Sequence, residues 1–187
     1  MYIKDNKFHL YYIKNDYIEY LRQYDERVYF NKNQKRPYVG TICIFQGQKY
    51  FIPMTSPKPK HLKMNPNLAD IYMIDSGKLG ILNINNMIPV DDDSIIRIDI
   101  NKEEKIYSTL LNKQVIAINK NRKQILLKIS KFFVLYEKNK LYQNILERTC
   151  NFRLLEEKCN KWKNKNTLNE EDVSYNLYKN DYRVWAY

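Results

Sequence analysis

The spacing of apolar residues changes character part-way along the chain, and that change limits what the chain can fold into. Up to about residue 100 the apolar residues come in short runs rich in β-branched and aromatic side chains: Phe8 to Ile13, Tyr38 to Phe45, Lys49 to Met54, Ile71–Asp75, Gly80–Ile84 and Ile95–Ile100. Such runs, separated by turn residues, read as strands. Beyond it, Ile125, Ile129, Phe132, Phe133 and Tyr136 follow the 3-4 rhythm of an amphipathic helix, and Leu141, Ile145, Phe152, Leu155, Cys159 and Trp162 repeat it. Strands followed by helices, rather than alternating with them, indicate an α+β fold with a mostly antiparallel sheet. The expectation is one domain over residues 1–187: a small, strongly bent sheet or open barrel at about 8–100, with helices from about 101–187 packed on it.

Local signals refine this outline. Asp16 and Glu19 have capping-box spacing for a helix through about Tyr24, Asn101 and Glu104 for one running to about Asn119, and Thr167 with Glu170 for a last one. Residues 25–37 are polar and basic and read as a mobile loop. Gln46-Gly47-Gln48 between two β-branched runs is a hairpin signal. Pro53, Pro57 and Pro59 break the pattern, so residues 55–61 are expected to form a stiff, extended exit from the sheet. The apolar stripes read as core rather than a cofactor box. Asp91-Asp92-Asp93 reads as a solvated turn rather than a metal site, because neighbouring strand residues face opposite ways.

Charge and composition then exclude several classes. The 187-residue chain carries 32 Lys+Arg against 21 Asp+Glu, a formal net charge of +11 that favours a polyanionic partner. Its 17 tyrosines, many near lysines, suit RNA, whose splayed bases stack on rings while phosphates pair with ammonium groups. The plainer reading is a Lys- and Asn-rich composition with tyrosines filling a half-buried surface. No apolar run is long enough to span a membrane, and the N-terminus lacks a signal-peptide core. Cys43, Cys150 and Cys159 are scattered, without disulfide or zinc spacing, so a cytoplasmic, reduced protein is expected. The four glycines form no phosphate-cradling loop, and neither a cofactor nor a metal is expected.

The chemistry concentrates in Thr55-Ser56-Pro57-Lys58-Pro59-Lys60-His61. Two hydroxyls, two ammonium groups and an imidazole on a proline-stiffened segment suit a phosphodiester: hydroxyls donate to phosphate oxygens, and lysine sets a compact charge on them. Paired carboxylates for two-metal hydrolysis are missing from it. If RNA is cut here, the fitting route is attack by the substrate's own 2′-OH, leaving 2′,3′-cyclic phosphate and 5′-OH ends. Lys58 would stabilise the charged phosphorane, Thr55 and Ser56 would orient the phosphate, and His61 titrates nearest neutrality. The plainer reading is a polar turn with a structural histidine.

The same block, with Arg36-Pro37-Tyr38-Val39-Gly40 and the hairpin Gln46 to Met54, closely resembles the ToxN/AbiQ endoribonuclease toxins of type III toxin–antitoxin, abortive-infection systems. Asp16-Tyr17-Ile18-Glu19-Tyr20-Leu21 with Asp25 and Val28, and the block around Leu111, Lys113-Gln114, Ile118-Asn119, Asn121, Ile125 and Lys128, are also similar, so the resemblance spans roughly residues 8–136. It implies an SH3-like barrel related to the Kid/MazF toxins, metal-free RNA cleavage, and silencing by a repetitive pseudoknot RNA antitoxin that the toxin processes and binds in a closed assembly. Carried over by position, it puts catalysis at Thr55, Ser56 and Lys58 and RNA contacts at Tyr17 and at Arg36 or its neighbour Lys35. Lys60 and His61 complete the loop. An extended antitoxin surface would fall on basic positions of the 113–131 helices, Arg122 and Lys123 foremost. Two readings compete with a nuclease acting on cellular or phage RNA: a non-catalytic RNA-binding module, and a membrane-surface protein, for which no basic amphipathic anchor stands out.

Overall fold

The computed structural model describes residues 7–45 and 48–164, with the backbone alone at 41–45. Strand β1 (His9–Ile13) leads into α1 (Asn15–Arg22), followed by β2 (Tyr38–Phe45) and β3 (Gln48–Thr55). Short strands β4 (Ile71–Met73), β5 (Ile81–Asn83), β6 (Ile88–Pro89) and β7 (Ile95–Arg97) follow, and then helices α2 (Lys105–Lys120), α3 (Arg122–Glu137) and α4 (Gln143–Leu146). A further helix, α5, covers 152–164. The fold is α+β, as the change of period indicates. Every strand pairing is antiparallel, in the order β4-β5-β3-β2-β1-β7, with β6 also on β3. The sheet stays open, with β4 and β7 at its two ends.

Strand β3 is the axis of the sheet and delivers the site. Pro53 lies inside it without ending it, as the expected run to Met54 requires. Met54 donates its N–H to the Pro37 carbonyl at 2.9 Å, on the β2 side. Successive strand residues direct their N–H groups to opposite sides, so the nitrogen of Pro53 faces the other side. There β6 pairs only with Tyr50 and Phe51, and β5 only with Met54 and Thr55. The missing N–H therefore falls in a gap between partners, and β3 runs on to Thr55.

Other boundaries differ from the sequence reading for identifiable reasons. Helix α1 has no capping box: Lys14 stands at its N-cap without a side-chain bond, and Asp16 lies in the first turn. Helix α2 is capped by Glu104, whose side chain accepts from the Ile106 N–H at 3.3 Å, while Asn101 belongs to a preceding 3-10 turn. The stripe from Leu141 to Trp162 is two helices rather than one. The break is held by tertiary bonds, Cys150 N–H to the Asn85 carbonyl at 2.9 Å and Asn151 N–H to the Asp25 carboxylate at 2.7 Å. Residues 25–37, expected as a mobile loop, are pinned: Val28 is sealed in the core, and Asn31 donates to the Ile13 carbonyl at 2.8 Å. The aspartate run is a turn, with the Asp91 carboxylate accepting from Asp93 N–H and Ser94 N–H, both at 2.9 Å. The expected turn at 46–47 and the last helix start at Thr167 and Glu170 lie outside the described residues.

The core lies between the sheet and the helices and runs as one cluster from Phe8 to Cys159. Tyr17, Tyr38 and Tyr50 are fully inside it, so these rings neither face RNA nor fill a half-buried surface. Among the described residues no helix is long and apolar enough to cross a membrane.

Candidate active site

Where β3 leaves the sheet, its last residue and the segment after it form the rim of a double cleft. Thr55 is half-buried, and Ser56, Pro57 and Lys58 are exposed. Lys58 is extended at φ −140°, ψ 148°, so only 56–58 match the expected extended exit. From Pro59 the chain turns into a 3-10 helix, Pro59–Lys63. Proline suits that first helical position, where its fixed φ is already helical and its missing N–H has no partner to lose.

Adjacent residues of extended chain face opposite sides, and here that splits the two hydroxyls. Thr55, Lys58 and Lys60 line a cavity of ≈ 510 Å³, while Ser56 lines a second of ≈ 490 Å³. Lys32 and Arg36 line both and form the wall between them. The 32–36 turn that carries them holds three residues at positive φ, Lys32 (52°), Asn33 (53°) and Gln34 (63°). Such backbone persists only where surrounding contacts impose it, and the buried Asn31 supplies one, its carbonyl accepting the Arg36 N–H at 3.2 Å.

Arg36, rather than Lys35, is the built-in cation of the site. Its Nε donates to the Phe30 carbonyl at 2.9 Å, one Nη1 hydrogen reaches the Met54 carbonyl at 3.2 Å, and its guanidinium lies 4.8 Å from the Tyr29 ring centre. Burial lowers its pKa from the ordinary arginine value without removing its charge at neutral pH. Nη2 has no protein acceptor among the described residues. Lys35 is exposed and lines only the second cavity.

Thr55 is oriented from behind. Its Oγ1 accepts from Asn83 Nδ2 at 2.9 Å, and Asn83 Oδ1 in turn accepts from the Tyr29 hydroxyl at 3.3 Å. With a lone pair engaged, the Thr55 hydroxyl hydrogen is free to donate into the cleft. Gly80 allows this packing: a Cβ there would stand 2.2 Å from the Thr55 carbonyl oxygen, and its φ is +98°. The first cavity is lined by the cations Lys32, Arg36, Lys58, Lys60 and Arg148 against the single carboxylate of Asp70. That imbalance focuses positive potential where a phosphodiester would lie. Across the second cavity Tyr12 donates to Glu103 at 2.9 Å, and burial with that bond holds its pKa far above the ordinary phenol value. Among the described residues no group of three or more His, Cys, Asp or Glu is placed to hold a metal ion.

Two sequence candidates are corrected. Tyr17 is completely buried and donates to the Pro89 carbonyl at 2.7 Å, with Trp162 edge-on at 5.5 Å, so its ring offers no face to a base. His61 is completely buried with neither ring nitrogen bonded, and burial with the nearby Lys60 and Lys58 charges lowers its pKa. His61 still stands among the residues lining the first cavity, and its backbone carbonyl packs against Gly77, where a Cβ would meet it at 2.9 Å. Arg122 and Lys123 stand apart from the cleft. Arg122 lies 5.5 Å over the Phe8 ring, beside the β1 residues that pair with β2 near Gly40, and Gly40 lies opposite Phe51 of β3. Thr55 is four residues further along, roughly 13 Å at the usual strand rise. Sequence reasoning missed Tyr29, the exposed Phe30, Asn83, Asp70 and Arg148. Of these only Tyr29-Phe30, an aromatic pair in a basic loop, had a local signal.

Residues 9–160 match the family described as Toxin ToxN, type III toxin-antitoxin system. The chain belongs to this family. Endoribonuclease ToxN of Bacillus thuringiensis subsp. kurstaki is 34% identical over 179 residues, covering 90% of this chain and 91% of that protein. A solved structure of a bacterial type III toxin, described as selectively inhibited by a non-coding RNA pseudoknot, superposes with a TM-score of 0.72 at 30% identity, over 84% of this chain and 98% of that one. AbiQ, a lactococcal anti-phage endoribonuclease of the type III toxin–antitoxin system, superposes with a TM-score of 0.70 at 25% identity, over 84% and 99%.

Proposed function

We propose that this chain is an endoribonuclease toxin of a type III toxin–antitoxin system, inhibited by a pseudoknot RNA antitoxin and acting in phage defence. The observation that carries the reading is the placement of Thr55 and Lys58 on one cavity and Ser56 on its neighbour, with Arg36 lining both, in a member of a family whose named relatives are endoribonucleases.

In the mechanism this arrangement favours, the 2′-oxygen bonds to the adjacent phosphorus as the bond to the 5′-oxygen breaks. The 2′-OH loses its proton and the departing 5′-oxygen gains one, giving 2′,3′-cyclic phosphate and 5′-OH ends. Lys58 and Arg36 Nη2 supply fixed positive charge to the phosphorane oxygens. Preorganised donors of this kind are each worth about 3–4 kcal/mol of barrier. The Thr55 hydroxyl, held by Asn83, donates to this phosphate, and the Ser56 hydroxyl reaches the RNA backbone from the adjoining cavity. Lys60 and Lys35 attract the flanking backbone, and the exposed Phe30 offers a ring for a neighbouring base to stack on.

The sheet, with β3 shared between β2 on one side and β5 and β6 on the other, is consistent with an opened SH3-like barrel of the Kid/MazF type. The continuous core supports reading the chain as one toxin domain, and a toxin acting on cellular or phage RNA would act in the cytoplasm. The antitoxin would cover the cleft and the Arg122–Lys123 corner together, in a closed protein–RNA assembly.

Expression of Ser56→Ala and Lys58→Ala variants tests the reading. Both are expected to fold, to lose RNA cleavage and to permit growth. Full toxicity and normal cleavage by both would overturn the site. Tight, salt-sensitive RNA binding by a wild-type protein that cuts no RNA would leave the non-catalytic binding module instead.

A further inference from the structure

One wall of the Thr55 cavity is built differently from the rest. Arg148 follows α4, far along the chain, and is fixed at both ends. Its Nε donates to Asp70 Oδ2 at 2.8 Å, while its backbone carbonyl accepts from Asn85 Nδ2 at 2.8 Å and Asn86 Nδ2 at 3.3 Å. Asp70 is 2% exposed, its backbone carbonyl accepts the Asn85 N–H at 3.2 Å, and its Oδ1 has no hydrogen-bond partner. A buried carboxylate with an unanswered oxygen is costly, and its place in the cavity lining indicates a wall built to be completed by a ligand.

The charge of this wall identifies the ligand's class. Lys58, Lys60 and Arg36 have no carboxylate partner among the described residues and suit phosphate. The Arg148 charge is already matched by Asp70, so the pair attracts a phosphate little while still presenting the two Nη groups as oriented donors. Asn85 Oδ1, which accepts no bond from the described residues, adds an acceptor on the same wall. Around them lie Met64, Leu68, Ile71 and Ile81. Apolar surface for a flat ring, with donors and an acceptor at its edge, is how proteins bind splayed RNA bases. The cavity volume of ≈ 510 Å³ falls within the usual range for small-ligand sites.

We propose that Arg148, oriented by Asp70 and joined by Asn85, reads one nucleobase next to the scissile phosphate and is a specificity-determining residue of the site. This rests on the endoribonuclease reading for its role in cleavage but not for its binding test. The probes are four homopolymeric 2′-O-methyl RNA oligonucleotides, of A, C, G and U, which lack the attacking hydroxyl and stay intact. Wild type is expected to prefer one of them. Arg148→Lys keeps the charge matched to Asp70 but loses the fork, and should lower that preference by roughly 5- to 150-fold. Because Arg148→Gln would strand Asp70, the paired variant Asp70→Asn with Arg148→Gln serves as the folded, neutral control and should lose the preference as well. On natural RNA, Arg148→Lys should relax the cleavage consensus at one position. A wild type without base preference, or variants that keep it, would overturn the proposal. So would an equal weakening for all four oligonucleotides with a flatter salt dependence, the signature of a phosphate clamp. Failure of the wild type to cut any RNA would sink the nuclease reading while leaving the homopolymer comparison intact.

Discussion

Gly80→Ala is the substitution whose consequence the structure defines most sharply, although residue 80 touches no substrate. Gly80 has φ +98°, and its carbonyl accepts the Ile74 N–H at 2.9 Å, so the turn between β4 and β5 is built on this backbone. A side chain at such an angle costs about 1–3 kcal/mol in strain alone. The new Cβ would also stand 2.2 Å from the Thr55 carbonyl oxygen, so reaching even a 3.0 Å contact moves that oxygen by about 0.8 Å. Thr55 opens the proposed catalytic segment, and misplacement on the order of 1 Å costs about 10²-fold in rate. The expected result in urea titration is a stability loss of about 2–4 kcal/mol, adding the displaced carbonyl to the strain. The expected result in RNA cleavage, assayed well below the melting transition, is a fall of about 10²-fold. Leu155→Ala supplies the comparison. Leu155 is fully buried in α5, and its truncation costs a similar 2–5 kcal/mol or so without touching the Thr55 strand end, so it should keep its cleavage rate. A Gly80→Ala protein of wild-type stability and rate would refute the reasoning, as would equal rate losses in the two variants.

The buried His61, its pKa lowered from the ordinary histidine value by burial and the nearby Lys60 and Lys58 charges, binds protons more readily when unfolded. Stability is then complete above the unfolded value and falls as pH drops below it; His61→Leu should narrow the melting-temperature gap between about pH 7.5 and 5.5, and an unchanged gap would contradict this. Tyr17→Phe would leave the buried Pro89 carbonyl without its 2.7 Å donor and should cost about 1–3 kcal/mol of stability; a variant of full stability but weaker RNA binding would return Tyr17 to the RNA surface. Lys123→Glu, on the exposed start of α3, should weaken antitoxin binding more than RNA cleavage and flatten its salt dependence by about one counterion. Unchanged antitoxin affinity would remove that corner from the interface.

The sequence expectations succeed where a local pattern decides and fail where a distant partner does. The β2–β3 pair, α2 and α3 are legible because β-branched runs and 3-4 stripes are set by neighbours in the chain. The break between α4 and α5 is not, because it depends on a carbonyl at Asn85 and a carboxylate at Asp25. In the candidate site, Thr55, Ser56 and Lys58 stand out in the sequence because they fall within four residues and are chemically unusual as a set. Tyr17 and His61 are misread because residue type does not reveal burial, and both rings lie fully inside. Arg148 and Asp70, 78 residues apart, leave no mark in any window of sequence, although the fold brings them together on the wall of the same cavity.

The central claim is that Lys58 and its neighbours cut RNA through the substrate's own 2′-OH. The direct measurement is digestion of a mixed RNA pool in EDTA by wild type and Lys58→Ala, with both product ends mapped. Wild type should give recurrent cuts bearing 2′,3′-cyclic phosphate and 5′-OH ends, absent with the variant. Products with 5′-phosphate ends, or cleavage undiminished in Lys58→Ala, would contradict it.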